Sequence, residues 1–243
     1  MRKLVVLVCI AFCASPVFAQ SPFSSDRPGQ SYSALSLDLH EMQVQQGFQW
    51  QDFREGDFIS QRYLSSFTEF RYGLGGGLEA GAAYGFDYFN QPQLNDDFSF
   101  NSGQPWIMLR YSFSKAEDPL QWGFLGRSNF DAYDLRGMAS LALGAWSLSG
   151  NLGIYSDRAT SFTVQWTLNL AYSQDKWSSF VEVYGLSLNS ANSDYLAFDG
   201  GFAYMLSPTF QLELFAGNQL GVGPAVGLYN TYFINTGFTW RIR

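Results

Sequence analysis

Acidic and arginine side chains recur along this chain inside segments whose residues alternate between large apolar and small or polar types. In the stretch EFRYGLGGGLEAGAAYGFDY, residues 69–88, the even positions include Leu78 and Tyr84. The odd positions include Glu79 and Asp87. Carboxylates and guanidinium groups that share one face can pair through charge-assisted hydrogen bonds or line a path that selects solutes by charge. A side-chain period of two indicates a β-strand with two unlike faces.

In the other alternating segments, odd and even positions again separate into an apolar face and a small or polar face. Further ionisable residues lie on the small or polar face. If the strands form a membrane barrel, an ionised side chain on the lipid-facing side costs ~2–4 kcal/mol near the midplane. In such a barrel we therefore expect these residues to face the interior. The residues predicted to line the interior are Glu69, Arg71, Glu79, Asp87, Arg110, Arg127, Glu182, Asp199 and Glu213. They could brace the wall as ion pairs, or their acid excess could favour neutral or cationic solutes.

Two pairs of these charged residues are expected to be close. A three-residue turn at 74–76 would set Arg71 opposite Glu79, and a five-residue turn would make them diagonal neighbours, so either turn lets the side chains meet. Closure of a barrel would bring the first and last strands together. We therefore expect Glu41 and Arg241 to lie close to each other at the barrel closure.

Other arrangements that could do chemistry have little support in the sequence. Nucleophilic catalysis needs a base beside a serine or cysteine, and the one histidine, His40, lies at or before the first predicted strand. One histidine and dispersed carboxylates do not predict a metal site. The stretch GLGGGLEAG, residues 73–81, lies between two strands, whereas a phosphate-binding glycine loop opens a helix. We expect no enzyme activity and no cofactor, and a lipid-modifying hydrolase is the least favoured function.

The N-terminus has the pattern of a secretory signal peptide. Residues 1–3 form a short segment with two basic residues, residues 4–14 form an apolar run, and residues 17–19 fit a small-residue cleavage site. The apolar run is shorter than the ~20 residues of a membrane-spanning helix. Both cysteines, Cys9 and Cys13, lie in it, so we expect no disulfide or thiol chemistry in the mature chain. We assign 1–19 to the signal peptide, 20–40 to an extended periplasmic lead-in and 41–243 to an outer-membrane barrel.

The composition argues for a membrane barrel and against a nucleic-acid partner. Removing Arg2 and Lys3 from the 14 basic residues leaves 12 against 21 acidic residues, a net charge of about −9, whereas phosphate binding needs a basic surface. Charged residues make up 14% of the chain and aromatic residues 18%, and a soluble surface is normally richer in charge. A soluble sandwich or lectin-like domain shares the alternation and is the alternative fold.

The alternating pattern returns in twelve segments, most of them as long as a tilted membrane strand. They span 41–52, 60–73, 77–89, 105–114, 119–129, 134–144, 146–156, 160–172, 177–188, 195–206, 209–218 and 229–242. The sixth has the weakest pattern, and ten or fourteen strands are alternatives. Connections alternate between short turns and longer polar stretches, notably 90–104, 187–194 and 218–229. This alternation is typical of periplasmic turns and external loops, and it predicts an all-β, antiparallel, up-and-down transmembrane β-barrel.

Several motifs resemble one family of bacterial outer-membrane proteins, the MetA-pathway of phenol degradation family. The similar stretches, which span nearly the whole mature chain, are SSDRPGQS with Asp26, Arg27 and Pro28, EMQVQQGFQW, TEFRYGLGGGLEAG, SSFVEVYG around Glu182, and FDGGFAYMLSPTFQLELFAGNQLG. The last of these is the most specific. The resemblance implies an outer-membrane channel, or transporter, for small aromatic or hydrophobic compounds.

Together these observations predict a channel in the bacterial outer membrane through which small solutes pass passively. The alternative is a closed structural or surface-interaction barrel that acts through external loops such as 90–104. The expected partners are outer-membrane lipid and lipopolysaccharide, the barrel-assembly machinery during biogenesis, and small-molecule solutes.

Overall fold

The computed structural model describes residues 31–55, 58–92, 99–157, 163–188, 194–223 and 227–243, and in these ranges the chain forms thirteen β-strands. The strands are β1 (Met42–Glu55), β2 (Phe58–Gly75), β3 (Leu78–Asn90), β4 (Ser99–Ser102), β5 (Trp106–Ser112), β6 (Leu120–Ser128), β7 (Ala132–Leu143), β8 (Trp146–Asp157), β9 (Thr163–Gln174), β10 (Trp177–Leu188), β11 (Asp194–Ser207), β12 (Phe210–Gly223) and β13 (Gly227–Ile242). The predicted signal peptide and residues 20–30 of the lead-in lie outside these ranges. Among the described residues there is no helix long and apolar enough to cross a membrane.

The strands form one antiparallel sheet that closes on itself. β1 pairs with both β2 and β13, and β2 pairs with β3. β3 pairs with β4 at Phe86–Phe89 and with β5 at Leu78–Ala83, so β4 and β5 occupy one position in succession. The barrel therefore has twelve positions around its circumference, which confirms the predicted all-β, antiparallel barrel. The predicted strand 105–114 corresponds to β5, and β4 was not predicted.

The two faces of the strands differ as the alternation requires. Large apolar side chains on the outer face are exposed even in the middle of strands, for example Leu152 at 64% and Val181 at 61% of their full accessible surface. On the inner face the buried side chains are largely polar or charged, among them Gln43 and Gln45 on β1. An apolar outside around a polar inside is the pattern of a barrel that faces lipid.

The barrel has two unlike ends. Short connections at 76–77, 113–119, 144–145, 175–176 and 208–209 lie at one end, which we call the turn end. We call the opposite end the loop end; by the usual asymmetry of such barrels the turn end is periplasmic. The prediction of a long loop over 218–229 was wrong, because β12 and β13 continue to the pair Gly223–Gly227. Polar residues such as Asn218 still pair between β12 and β13, because the hydrogen bonds between strands are formed by backbone groups and not by side chains.

Residues 31–38 lie inside the barrel and form what we call the interior segment. It contains no helix or strand, yet Ala34 and Leu37 are only 2% and 3% exposed. Ala34 packs in a cluster with inward-facing Met108 and Leu125. The sequence analysis assigned this part of the chain to a periplasmic lead-in, and the contacts of residues 31–38 are with inward-facing side chains of the barrel. At the turn end a Cβ on Gly73 would come within 1.8 Å of the Asp38 carbonyl oxygen, so only glycine fits beside the entering chain.

Candidate functional site

The interior segment crosses the lumen from one wall of the barrel to the other. Near the turn end its Leu37 amide donates to Glu79 Oε2 at 2.8 Å, and its Leu35 carbonyl accepts from Arg110 Nη1 at 3.2 Å. Farther along, the Tyr32 amide donates to the Asn151 side chain, which donates back to the Tyr32 carbonyl at 3.0 Å. The Ser31 hydroxyl donates to Glu182 on β10. These bonds satisfy backbone groups of the segment that no sheet ladder serves.

A buried charge cluster joins β2, β3 and β5. Arg71 Nε lies 2.7 Å from Glu79 Oε1 and Arg71 Nη2 lies 2.8 Å from Glu79 Oε2, which makes a bidentate pair. Arg110 Nε lies 3.8 Å from Glu79 Oε1, and all three side chains are fully buried. The turn has two residues, 76–77, and a bulge at 73–75 sets Gly73 opposite Glu79, so Arg71 is the diagonal neighbour. The contact between Arg71 and Glu79 that the sequence predicted is present.

A second charge cluster on β6 and β7 holds Tyr32 of the interior segment. Asp134 is fully buried and accepts from Arg127 Nε at 3.0 Å and from Arg136 Nη2 at 2.8 Å. The guanidinium carbons of Arg127 and Arg136 lie 5.0 and 4.9 Å from the Tyr32 ring centroid, and Arg127 also donates to the Tyr32 hydroxyl. Sequence reasoning found Arg127 but missed Asp134 and Arg136, because the sixth segment had the weakest alternation. It missed Tyr32 because residues before β1 were not assigned to the interior.

The wall built by β10, β11 and β12 carries acids without basic residues. Glu182 lies directly opposite Asp199 across β10 and β11, and Glu213 follows on β12. All three are more than 90% buried, and the sequence from 177 to 223 contains no lysine or arginine. The Asp199 and Glu182 carboxyl groups are close enough to interact directly, so they form an acidic pair. No basic residue on these strands neutralises this wall, which is therefore acidic.

The remaining predicted interior residues are more scattered. Glu69 is buried on β2 opposite Gln45. Asp87 is half-buried, opposite Ser65 on β2, away from both charge clusters. At the barrel closure Glu41 Oε2 lies 4.0 Å from Arg241 Nε, so the expected proximity is present. The tighter partner of Glu41 is one that sequence reasoning did not name, Arg243, whose Nε lies 2.9 Å from Glu41 Oε1.

A cavity of about 180 Å³ opens in the lumen toward the loop end. It is lined by the residues Gln49, Gln51, Tyr184, Tyr195, Gln219 and Phe233. The Tyr184 and Tyr195 rings meet edge to face with centroids 6.3 Å apart. Within the described chain neither the Tyr184 hydroxyl nor the Gln219 amide has a hydrogen-bond partner, so both are available to a bound molecule. The sequence analysis did not name these residues as interior, and it assigned Gln219 to the predicted loop 218–229.

The aromatic lining continues toward the turn end. Phe233 packs edge to face on Phe215 with centroids 6.4 Å apart, and Phe215 packs on Phe180 at 6.0 Å. The acids Glu182 and Asp199 project into the same part of the lumen from β10 and β11. No group of three or more histidine, cysteine, aspartate or glutamate residues in the described ranges is placed to hold a metal ion. The arrangement can stack an aromatic ring, hydrogen-bond to its substituents and repel anions.

Comparison with known proteins gives matches only among solved structures. No protein-family model matches the chain, and no curated protein matches it. The COG4313 outer membrane channel from Pseudomonas putida F1 matches with a TM-score of 0.63 at 12% identity, over 89% of this chain and 99% of that one. The chain has the fold of outer-membrane channels.

Two further solved structures support the same fold. The CymD monoaromatic hydrocarbon channel matches with a TM-score of 0.51 at 11% identity, over 85% of this chain and 90% of that one. The KdgM porin matches with a TM-score of 0.51 at 8% identity, over 81% of this chain and 99% of that one. At these identities the likeness concerns the fold alone. This likeness agrees with the predicted outer-membrane barrel. It does not show membership of the family that the sequence motifs resemble.

Proposed function

We propose that this barrel is a passive outer-membrane channel for small uncharged solutes that carry an aromatic ring and hydrogen-bonding substituents. The observation that carries this proposal is the loop-end cavity, where aromatic rings meet side-chain amides inside a lumen with an acidic wall. A solute entering from outside would stack on Tyr184, Tyr195 or Phe233. Its polar groups would bond to Gln219 or Gln51.

Size and charge of the lumen support this class of solute. The cavity of about 180 Å³ is larger than the ~150 Å³ engineered protein cavity that accommodates benzene, so one ring fits. Among the described residues, seven acids and three arginines are buried, and the half-buried Arg127 and Arg136 do not cancel this excess. A negative lumen disfavours anions and leaves uncharged solutes free to pass.

The interior segment narrows the route that such a solute would take. Most of its contacts are with β3, β5, β6 and β7. Glu79 and Arg110 form hydrogen bonds with its backbone, and Arg127 and Arg136 form cation–π contacts with its Tyr32 ring. The aromatic cavity lies on the opposite side, against β10 to β13. We infer that solutes move along the aromatic and acidic wall, beside the segment.

Three finer statements belong to the same proposal. The sequence motifs suggest membership of the MetA-pathway of phenol degradation family, and one similar solved structure is a channel for monoaromatic hydrocarbons. Similar solved structures are channels and porins, which supports a protein without enzyme activity. The barrel-assembly machinery and lipopolysaccharide are the partners proposed for biogenesis and for the mature barrel.

Swelling of proteoliposomes tests the proposed route. Phenyl glucoside is uncharged, carries one ring and several hydroxyl groups, and crosses lipid slowly. We expect wild-type proteoliposomes to swell faster in phenyl glucoside than in an equimolar methyl glucoside solution. Tyr184→Ala should remove this preference, whereas Tyr133→Ala, which changes an outward-facing ring, should keep it. Swelling of folded wild-type protein no faster than that of empty liposomes would contradict the channel.

The second candidate function is a closed barrel that acts through its external loops. The observation that favours it is the interior segment, which is tied to both walls of the lumen. This candidate predicts no solute uptake. Deletion of the connection between β3 and β4 would then abolish a surface interaction and leave the barrel folded.

A further inference from the structure

Two arginines face outward at the loop end, on neighbouring strands. Arg62 on β2 lies opposite Asp52 on β1, and Arg54 lies two residues farther along β1. The Arg62 guanidinium stands 5.1 Å from the Trp50 ring centroid, and the Arg54 guanidinium stands 5.2 Å from that of Tyr232. Trp50 and Tyr232 are 41% and 47% exposed on the outer face. We call Arg54 and Arg62 the rim pair.

Among the described lysines and arginines, the rim pair differs from the others in its position. The other described lysines and arginines either face the interior or lie at the turn end; they are Arg71, Arg110, Arg127, Arg136 and Arg241 inside, and Lys115, Lys176 and Arg243 at the turn end. Amphipathic rings such as Trp50 favour the membrane interface. Arg54 lies four residues beyond Trp50, about 13 Å along a strand and roughly 10 Å in height once strand tilt is included. The rim pair therefore lies at the level of the lipid headgroups in the outer leaflet.

The chemistry of the rim pair suits a phosphate group. Asp52 Oδ1 accepts from Arg62 Nε at 2.9 Å, which orients the guanidinium and leaves its terminal N–H groups for another acceptor. Arg54 Nε is buried and has no hydrogen-bond partner among the described residues. The ring beside each guanidinium shields it from water on one side. Planar guanidinium groups bind phosphate oxygens in a bidentate manner, more selectively than an ammonium group does.

We propose that Arg54 and Arg62 bind a phosphate of the phosphorylated glycolipid, lipopolysaccharide, that forms the outer leaflet around the loop end. The site is outside the lumen, so it does not depend on the proposed channel function. It would fix the depth and the rotation of β1, β2 and β13 in the membrane. Phosphatidylglycerol offers the same phosphate chemistry, but its place is chiefly the leaflet at the turn end.

Native mass spectrometry of the folded, detergent-solubilised barrel tests the assignment. The protein is titrated with lipid A, with lipid A lacking its phosphates and with phosphatidylglycerol. We expect lipid A to bind wild type at least about tenfold more tightly than Arg54→Gln/Arg62→Gln, as expected for lost charge-assisted hydrogen bonds. The matched control Lys115→Gln/Lys176→Gln removes the same charge at the turn end and should bind lipid A as wild type does.

Several outcomes would overturn the proposal. They are equal binding of lipid A by the rim variant and wild type, equal weakening in the turn-end control, and equal binding of phosphate-free lipid A. Binding of phosphatidylglycerol as tightly as lipid A would overturn the assignment to the glycolipid. Should the double variant not fold, Arg54→Gln alone decides the question, because Arg54 Nε donates no hydrogen bond to the described residues.

Discussion

The two walls of the lumen handle buried charge in different ways. On β2 to β7, each buried carboxylate at the two charge clusters contacts two arginines: Glu79 with Arg71 and Arg110, and Asp134 with Arg127 and Arg136. On β10 to β12 the acids have no basic residue on their own strands and are interspersed with aromatic rings. The first wall is cross-linked by ion pairs. The second combines negative charge, rings and a cavity, which are the properties that act on a solute.

The interior segment shows the same division. It bonds to both charge clusters of the paired wall, through Leu37, Leu35 and Tyr32. Its described bond to the acidic wall is that of Ser31 to Glu182. The paired wall therefore both braces the barrel and holds the segment aside. Substitutions on this wall should change stability and pore width, whereas substitutions on the acidic wall should change selectivity.

The largest expected effect is that of Glu79→Gln. The amide would leave Arg71 and Arg110 buried without their counter-charge, and breaking a buried pair on one side costs about 3–5 kcal/mol. We expect a lower temperature for loss of the heat-resistant band on a gel and a lower urea midpoint in lipid vesicles. Glu117→Gln, in an exposed turn, is the control and should stay within about 0.5 kcal/mol of wild type. Unchanged heat resistance of Glu79→Gln would show that the pair is not a brace.

The next effect concerns Tyr32, which anchors the interior segment. Tyr32→Ala removes two cation–π contacts worth together ~2 kcal/mol, which raises the population of a displaced segment about 30-fold. We expect a higher mean single-channel conductance and no loss of fold. Tyr32→Phe keeps the ring, so its conductance should lie between that of wild type and Tyr32→Ala. Equal conductance of all three proteins would mean that the segment does not narrow the route.

Much of the barrel was predictable because the alternation of apolar and polar residues marks both the strands and their two faces. Strands β1, β3 and β8 agree with the predicted segments to within about three residues at each end, and the inward side of strands with clear alternation followed from parity. Two parts were not predictable. β4 is four residues long, too short for a periodic signal, and the strands extend past the membrane belt into stretches that sequence polarity marked as loops.

The site was predictable only as a set of inward positions. Parity assigned Glu79, Glu182 and Asp199 to the interior, and the turn predicted the Arg71 partner of Glu79. The interior segment was missed because residues 31–38 have no sustained alternation and one charged residue, Asp38, so no local pattern places them in the lumen. Their position depends on contacts with partners far along the chain, such as that of Tyr32 with Arg127. Partners at such separation have no local signal in one sequence.

The smallest of the three effects is also the most direct test of a channel with an acidic wall. Purified protein is inserted into a planar bilayer under a salt gradient, and the reversal potential is measured for wild type, the double variant Glu182→Gln/Asp199→Asn and the control Glu117→Gln. Both acids are replaced because two adjacent carboxyl groups titrate as a pair. We predict discrete conductance steps with a cation-selective reversal potential, shifted toward zero in the double variant and unchanged in Glu117→Gln. Contrary results would be a silent bilayer with verified insertion, or selectivity that the double variant leaves as it was. The first would exclude an open channel, and the second would exclude the acidic wall as its selective surface.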